Sequence, residues 1–221
     1  MLEKLYQLRF EVFLTTQLLI LFGSLLVTQE VHEEFLLPGL FLLNIAVGIL
    51  ILSKQKKLMW FSMLLFGTAV LIFGDSMISR RGEEGSLVRL AIYFLFYTVL
   101  TFNIIRQVWT SKTVTRKVIL GLMSGYLALG FLGFFLFMSI ELLHPTSFTG
   151  LLLEAGDFRL KMDGIMYYSF ITLLTIGYGE IVPVTPVAQK AAILVGLAGQ
   201  FYLVIITAVV VEKYIRHSVN R

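Results

Sequence analysis

Toward the C-terminal end of the sequence, Thr175-Ile176-Gly177-Tyr178-Gly179 combines residue types that let a backbone hold a bare cation. A cation stripped of water needs its hydration oxygens replaced, and the densest supply in a protein is a run of main-chain carbonyls turned to one side. That conformation demands φ > 0 at some positions. Gly177 and Gly179 tolerate it for want of a Cβ, and Thr175 can add a hydroxyl oxygen as one more ligand. Ile176 and Tyr178 then carry their side chains away from the axis. Other chemistries find no footing. The absence of cysteine excludes disulfides, thiol catalysis and Cys-ligated zinc, and the three histidines are scattered without metal-ligand spacing. No nucleophile, acid pair or metal cluster lies within an apolar segment, so an enzyme is not expected, nor any cofactor beyond the permeant ion.

The elements that would position this stretch are apolar helices. Of 221 residues, 57% are hydrophobic and only 14% charged, whereas a soluble domain carries about 25% charged. A spanning helix needs about 20 apolar residues. Six stretches qualify or nearly do: 12–28, 35–53, 58–74, 87–105, 118–143 and 188–211. The third is the shortest, with Trp60 near its start as an interfacial aromatic. A seventh, 165–174, is too short to span and lies between Asp163 and the two glycines, the profile of a re-entrant helix buried among others. The N-terminal run lacks a small-residue cleavage pattern and is expected to be retained.

Alternating the loops puts twelve of the eighteen basic residues on one side, in the segments around Lys4, Lys54, Arg106 to Lys117 and Lys213. The positive-inside rule then predicts a multi-pass protein of the cell membrane with both termini cytoplasmic and the re-entrant segment opening outward. The net charge of +4 is spread over short loops rather than one face, so membrane lipids and not nucleic acid are the expected contacts. The basic segment 106–117, with Trp109, reads as an interfacial linker between a four-helix part (1–117) and a two-helix part (118–221).

The residues 167–186, YYSFITLLTIGYGEIVPVTP, resemble the pore signature of tetrameric potassium channels. The likeness covers roughly 118–211. It implies an all-α membrane protein of six transmembrane helices plus one pore helix and filter loop, assembled from four identical subunits. It also implies stacked K+ sites made by the carbonyls of Thr175, Ile176, Gly177 and Tyr178, with Gly179 closing the motif and the Thr175 hydroxyl at the cytoplasmic end. Gly199 falls where the family often has a hinge glycine, and Gln200, Leu203, Thr207 and Val211 continue as cavity and gate positions. Gly196 competes for the hinge, and close packing is the other reading of Gly199.

Three departures surround the filter. Leu174 stands where the family usually has Thr, Glu180 where it has Asp, and Tyr167 and Tyr168 where it shows one or two Trp. Glu180 is one methylene longer than Asp and is expected to reach a pore-helix tyrosine hydroxyl and brace the filter.

The fourth span carries only Arg89, with Arg106 just past its end, whereas a voltage sensor needs several arginines at three-residue spacing. The expected function is therefore passive K+ conduction without steep voltage gating. A weakly selective cation channel and a non-conducting sensor or auxiliary subunit are the alternatives. Gln17, Asn44, Asn103 and Gln200 are polar at membrane depth and read mainly as interhelical hydrogen bonds, and Gly121 with Gly125 as a packing pair.

Overall fold

The computed structural model describes residues 8–27, 36–53, 55–79, 86–111, 115–150, 153 and 158–219, and among them the chain is almost wholly helical. In order come α1 (Arg9–Phe22), α2 (Leu37–Leu52), α3 (Lys56–Ser79), α4 (Ser86–Thr110), α5 (Arg116–Leu143), strand β1 (Phe148–Thr149), α6 (Phe158–Leu173), strand β2 (Val182–Pro183) and α7 (Pro186–Val219). Three of the helices contain stretches long and apolar enough to cross a membrane: Leu90–Gln107 in α4, Arg116–Leu143, which is α5 itself, and Pro186–Glu212 in α7. Together with the sequence composition they support a membrane protein.

The element ends differ from the sequence expectation for local reasons. The first span stops at Phe22, where Gly23–Leu25 tightens into a 3-10 turn, so α1 has 14 residues. Thr28 and Phe35, which bounded the first two expected spans, lie outside the described residues. Pro38 opens α2, where its missing N–H costs nothing. The short helix begins at Phe158, seven residues before the apolar run, and Lys161 in its early turns is held by Glu141 of α5 at 3.1 Å. The final helix runs 34 residues, about 51 Å at 1.5 Å per residue, and so outreaches a 30 Å hydrocarbon layer.

Two compact units divide the chain. The first contains residues 1–111 and 115–125, and the second residues 112–114 and 126–221, so that the opening turns of α5 belong with the first. The first unit is held by apolar packing around Phe13, Ile45, Phe96, Leu100 and Ile104, all with no exposed surface. Inside it sits a polar knot. Asn44 Nδ2 donates to Thr16 Oγ1 at 2.6 Å and to the Phe13 carbonyl at 3.3 Å, and the Tyr97 hydroxyl donates to Asn44 Oδ1 at 2.6 Å. Gln17 Nε2 donates to the Ser124 carbonyl at 3.1 Å, and Gln55 Nε2 to Asn103 Oδ1 at 2.7 Å. Gln17, Asn44 and Asn103 thus are interhelical hydrogen-bonding residues, while Gln200 is exposed on α7. The Cβ that an alanine would add at Gly121 would stand 3.3 Å from the Phe10 ring, so this glycine lets α1 lie against α5.

Candidate functional site

The second unit is built around α6 and the stretch that follows it. Ser169 Oγ donates to the Gly130 carbonyl at 2.7 Å, and a Cβ at Gly133 would stand 2.5 Å from the same hydroxyl. The two α5 glycines therefore let α6 lie directly on the α5 backbone. Tyr168, 5% exposed, is wedged between Phe137 and Phe148, with ring centroids 5.1 and 5.4 Å away.

The C-terminus of α6 is where the chain changes character. The Thr175 N–H donates to the Thr172 carbonyl at 3.1 Å, and the Ile176 N–H reaches back five residues to the Ile171 carbonyl at 2.9 Å. These two bonds are the Schellman pair, in which the residue past the cap takes a left-handed conformation, usually as glycine. Here that residue is Thr175, at φ 58°. A β-branched side chain at positive φ costs about 1–2 kcal/mol, so the surrounding structure must impose it. Gly177 follows at φ 57° and Gly179 at φ 91°, whereas Ile176 and Tyr178 are not left-handed. In an ordinary strand successive carbonyls point to opposite sides. Alternation of φ sign along Thr175 to Gly179 departs from that strand pattern. A Cβ at Gly177 or Gly179 would meet nothing within 4 Å, so at these two positions the backbone angle and not space requires glycine.

Three contacts fix this turn from behind. The Tyr126 hydroxyl on α5 donates to the Leu173 carbonyl at 3.2 Å, and its ring lies 5.5 Å from that of Tyr202 on α7. Gly199 lies so close that any Cβ there would run into the same Leu173 oxygen, so close packing accounts for the glycine. Gly196 is under no such pressure, its nearest atom being 3.9 Å away. Neither Tyr126 nor Tyr202 stands out in the sequence, where each is one more aromatic in an apolar run.

On the far side of Gly179, the Glu180 carboxylate is placed to accept a hydrogen bond from the Tyr167 phenol. That bond, first, with minor burial and the Glu180 charge, pushes the Tyr167 pKa up to about 12, so the hydroxyl keeps its proton and remains a donor. The partner of Glu180 is thus Tyr167, on the exposed side of α6, while Tyr168 faces the opposite way into the aromatic wedge.

The exit from the turn is strapped down. β2 pairs antiparallel with β1, Phe148 opposite Pro183 and Thr149 opposite Val182, and the Val184 N–H donates to the Ser147 carbonyl at 2.9 Å. Thr185 Oγ1 accepts from the Ala188 N–H at 3.3 Å and caps α7, with Pro186 at the first helical position. The strap hangs on one acid that the sequence gives no reason to select. Glu141, 3% exposed at the end of α5, accepts from the backbone N–H groups of Thr146, Ser147 and Phe148 at 3.1, 2.9 and 3.2 Å, and from Lys161 Nζ of α6 at 3.1 Å.

Residues 122–216 match a protein-family profile described as an ion channel. The matched part opens in α5, takes in α6, the left-handed turn and the β strap, and ends in α7. It supports an ion-channel domain, and with it passive ion movement. No curated protein and no solved structure matches the chain.

In the single chain much of this matched segment is left uncovered. Every residue from Leu174 to Glu180 is exposed, and so are Gln200, Leu203, Thr207 and Val211, which recur at helical spacing along α7. Only 22% of the long apolar stretch of α7 is buried, against 50% for the stretches in α4 and α5. Among the described residues no group of three His, Asp or Glu could hold a metal ion.

Proposed function

We propose that this chain is one subunit of a potassium-selective channel. Carbonyls of Thr175, Ile176, Gly177 and Tyr178 and the Thr175 hydroxyl coordinate dehydrated K+ in single file, with Gly179 closing the filter. The observation that carries this reading is the alternation of left-handed φ at Thr175, Gly177 and Gly179 directly after a short helix. One chain supplies one strip of oxygens, and a ring needs several, so the working unit is a closed homo-oligomer, a tetramer, whose subunits cover the exposed side of α7. Gln200, Leu203, Thr207 and Val211 face the cavity below the filter. Tyr167, Tyr168 and Glu180 support the filter from outside its axis, and Leu174 lines its inner end.

In this reading α1 to α5 and α7 all cross the cell membrane, with both termini cytoplasmic and Glu180 at the outer mouth. The fourth helix lacks the arginine series that steep voltage dependence needs, so conduction is passive and weakly dependent on voltage. The test is the reversal potential of the purified protein in a planar bilayer with K+ on one side and Na+ on the other. A value near the K+ equilibrium potential supports the assignment, and a value near zero makes the pore a weakly selective cation channel instead.

A further inference from the structure

The helices of the first unit are basic toward one end, with Arg89 at the other. No Asp or Glu occurs in 35–74 or in 85–140, while those stretches hold Lys54, Lys56, Lys57, Arg89, Arg106, Lys112, Arg116 and Lys117 between them. The folding gathers Lys56, Lys57, Arg106, Arg116 and Lys117. Gln55, in the turn between α2 and α3, donates to Asn103 of α4, and Gln107 Nε2 donates to the Ile51 carbonyl at 3.2 Å. Those two bonds tie the start of α3, with Lys56 and Lys57, to the end of α4, with Arg106. The first turn of α5 comes to the same end, because Gly121 lies against the Phe10 ring and Gln17 holds the Ser124 carbonyl. Lys56, Lys57, Arg106, Arg116 and Lys117 are all exposed, and among the described residues none of them is ion-paired.

Two tryptophans mark the depth. Trp60, one turn into α3 from Lys56 and Lys57, is 67% exposed, and Trp109, one turn beyond Arg106, is 55% exposed. An indole is suited to the headgroup layer, with its ring toward the acyl boundary and its N–H toward water. Apolar surface below, indole at the boundary and unmatched cations above form a surface whose complement is a negatively charged headgroup on a diacyl tail.

We propose that this end of the first unit binds the phosphate groups of anionic phospholipids, with Lys56, Lys57 and Arg106 as one contact and Arg116 and Lys117 as a neighbouring one. Clusters of four to eight basic residues beside a spanning helix gain enough from an anionic surface to retain such lipids, and the attraction falls off within a Debye length. The proposal rests on the reading that these helices cross a bilayer, but not on what the pore conducts.

The experiment is native mass spectrometry of the full-length protein in a non-ionic detergent, titrated with phosphatidylglycerol or with phosphatidylcholine of the same acyl chains. Phosphatidylglycerol should be retained about tenfold or more in preference, and the preference should shrink at high salt. Lys56→Gln, Lys57→Gln and Arg106→Gln should each weaken retention about fivefold. Lys190→Gln, an exposed lysine on α7, should leave it unchanged. Equal retention of the two lipids, or wild-type retention by the Lys57→Gln/Arg106→Gln double variant, overturns the proposal. So does displacement of the lipid by inorganic phosphate at equal concentration, which would make this a site for free phosphate. Each variant is scored only where it elutes as the same assembly as the parent. A protein that retains the lipid without passing ions would keep this inference and sink the channel reading.

Discussion

Removing the Glu141 carboxylate should loosen the segment that holds the filter exit. Its four donors sit at 3.1, 2.9, 3.2 and 3.1 Å around a side chain almost closed to water. Their loss is not a plain sum. The Thr146 backbone is near solvent and can find water, and Lys161 is 28% exposed, so its ammonium regains hydration. The N–H groups of Ser147 and Phe148 are buried and would be left without an acceptor, at about 1–3 kcal/mol each. Glu141→Ala should therefore cost about 3–5 kcal/mol, in the range found for breaking a buried charge pair. Glu141→Gln keeps one carbonyl acceptor and should cost about half as much. A double-mutant cycle with Lys161→Met should give a coupling of only about 1 kcal/mol, since the lysine is part-exposed and the backbone donors carry the rest. The assay is denaturant unfolding of the detergent-solubilised protein, followed through tyrosine and tryptophan fluorescence. If Glu141→Ala loses less than about 1 kcal/mol, or if the whole loss appears as coupling to Lys161, the backbone-anchoring role is wrong.

Further outcomes follow from the same geometry. Gly199→Ala should destabilise the assembly by about 2 kcal/mol or more, because its Cβ cannot clear the Leu173 oxygen, while Gly196→Ala should melt like the parent; equal melting temperatures would instead favour a pure hinge role for Gly199. Tyr167→Phe should speed the loss of current during sustained conduction, and Tyr168→Phe should do so only weakly; the reverse ranking would move the Glu180 brace to the other tyrosine. The Tyr167 phenol has its pKa raised from 10.0 to about 12, so its stabilising contribution is complete below pH 10 and is lost as pH rises through about 12; a current decay whose tyrosine-dependent part changes between pH 7 and pH 9 contradicts that. Tyr97→Phe leaves buried Asn44 Oδ1 without a donor and should lower stability by about 1 kcal/mol with no change in ion preference, measured by the same unfolding assay and by reversal potential.

What the sequence disclosed and what it hid divide along physical lines. The left-handed stretch was legible at Gly177 and Gly179 because only glycine takes such angles cheaply, and a motif built on that rule is written in residue types. Thr175 was not legible as left-handed, since β branching argues against it and the Schellman bonds that impose it belong to the folded helix end. The apolar spans were visible by composition, yet the first seven residues of α6 were not, because Arg159, Lys161 and Asp163 read as a loop. Lys161 is accommodated by Glu141, a pairing across twenty residues that no local pattern announces. Interhelical hydrogen bonding was foreseeable for Gln17, Asn44 and Asn103, polar groups that a bilayer would otherwise leave unpaired. The same rule fails for Gln200, which on a single subunit faces outward. Tyr126 and Tyr202 escaped notice because an aromatic in an apolar helix carries no mark of the carbonyl or ring it will meet.

The central claim is that the backbone from Thr175 to Gly179 passes K+ selectively. Its most direct test is rubidium uptake into K+-loaded liposomes containing the purified protein, with Gly177→Ala as the paired control. The parent should take up rubidium and be blocked from doing so when Na+ replaces K+ as the internal ion. Gly177→Ala, whose Cβ has space but whose φ of 57° is strained for alanine, should lose that uptake while still assembling. No uptake by the parent, or equal uptake by the Gly177→Ala protein, would contradict the account.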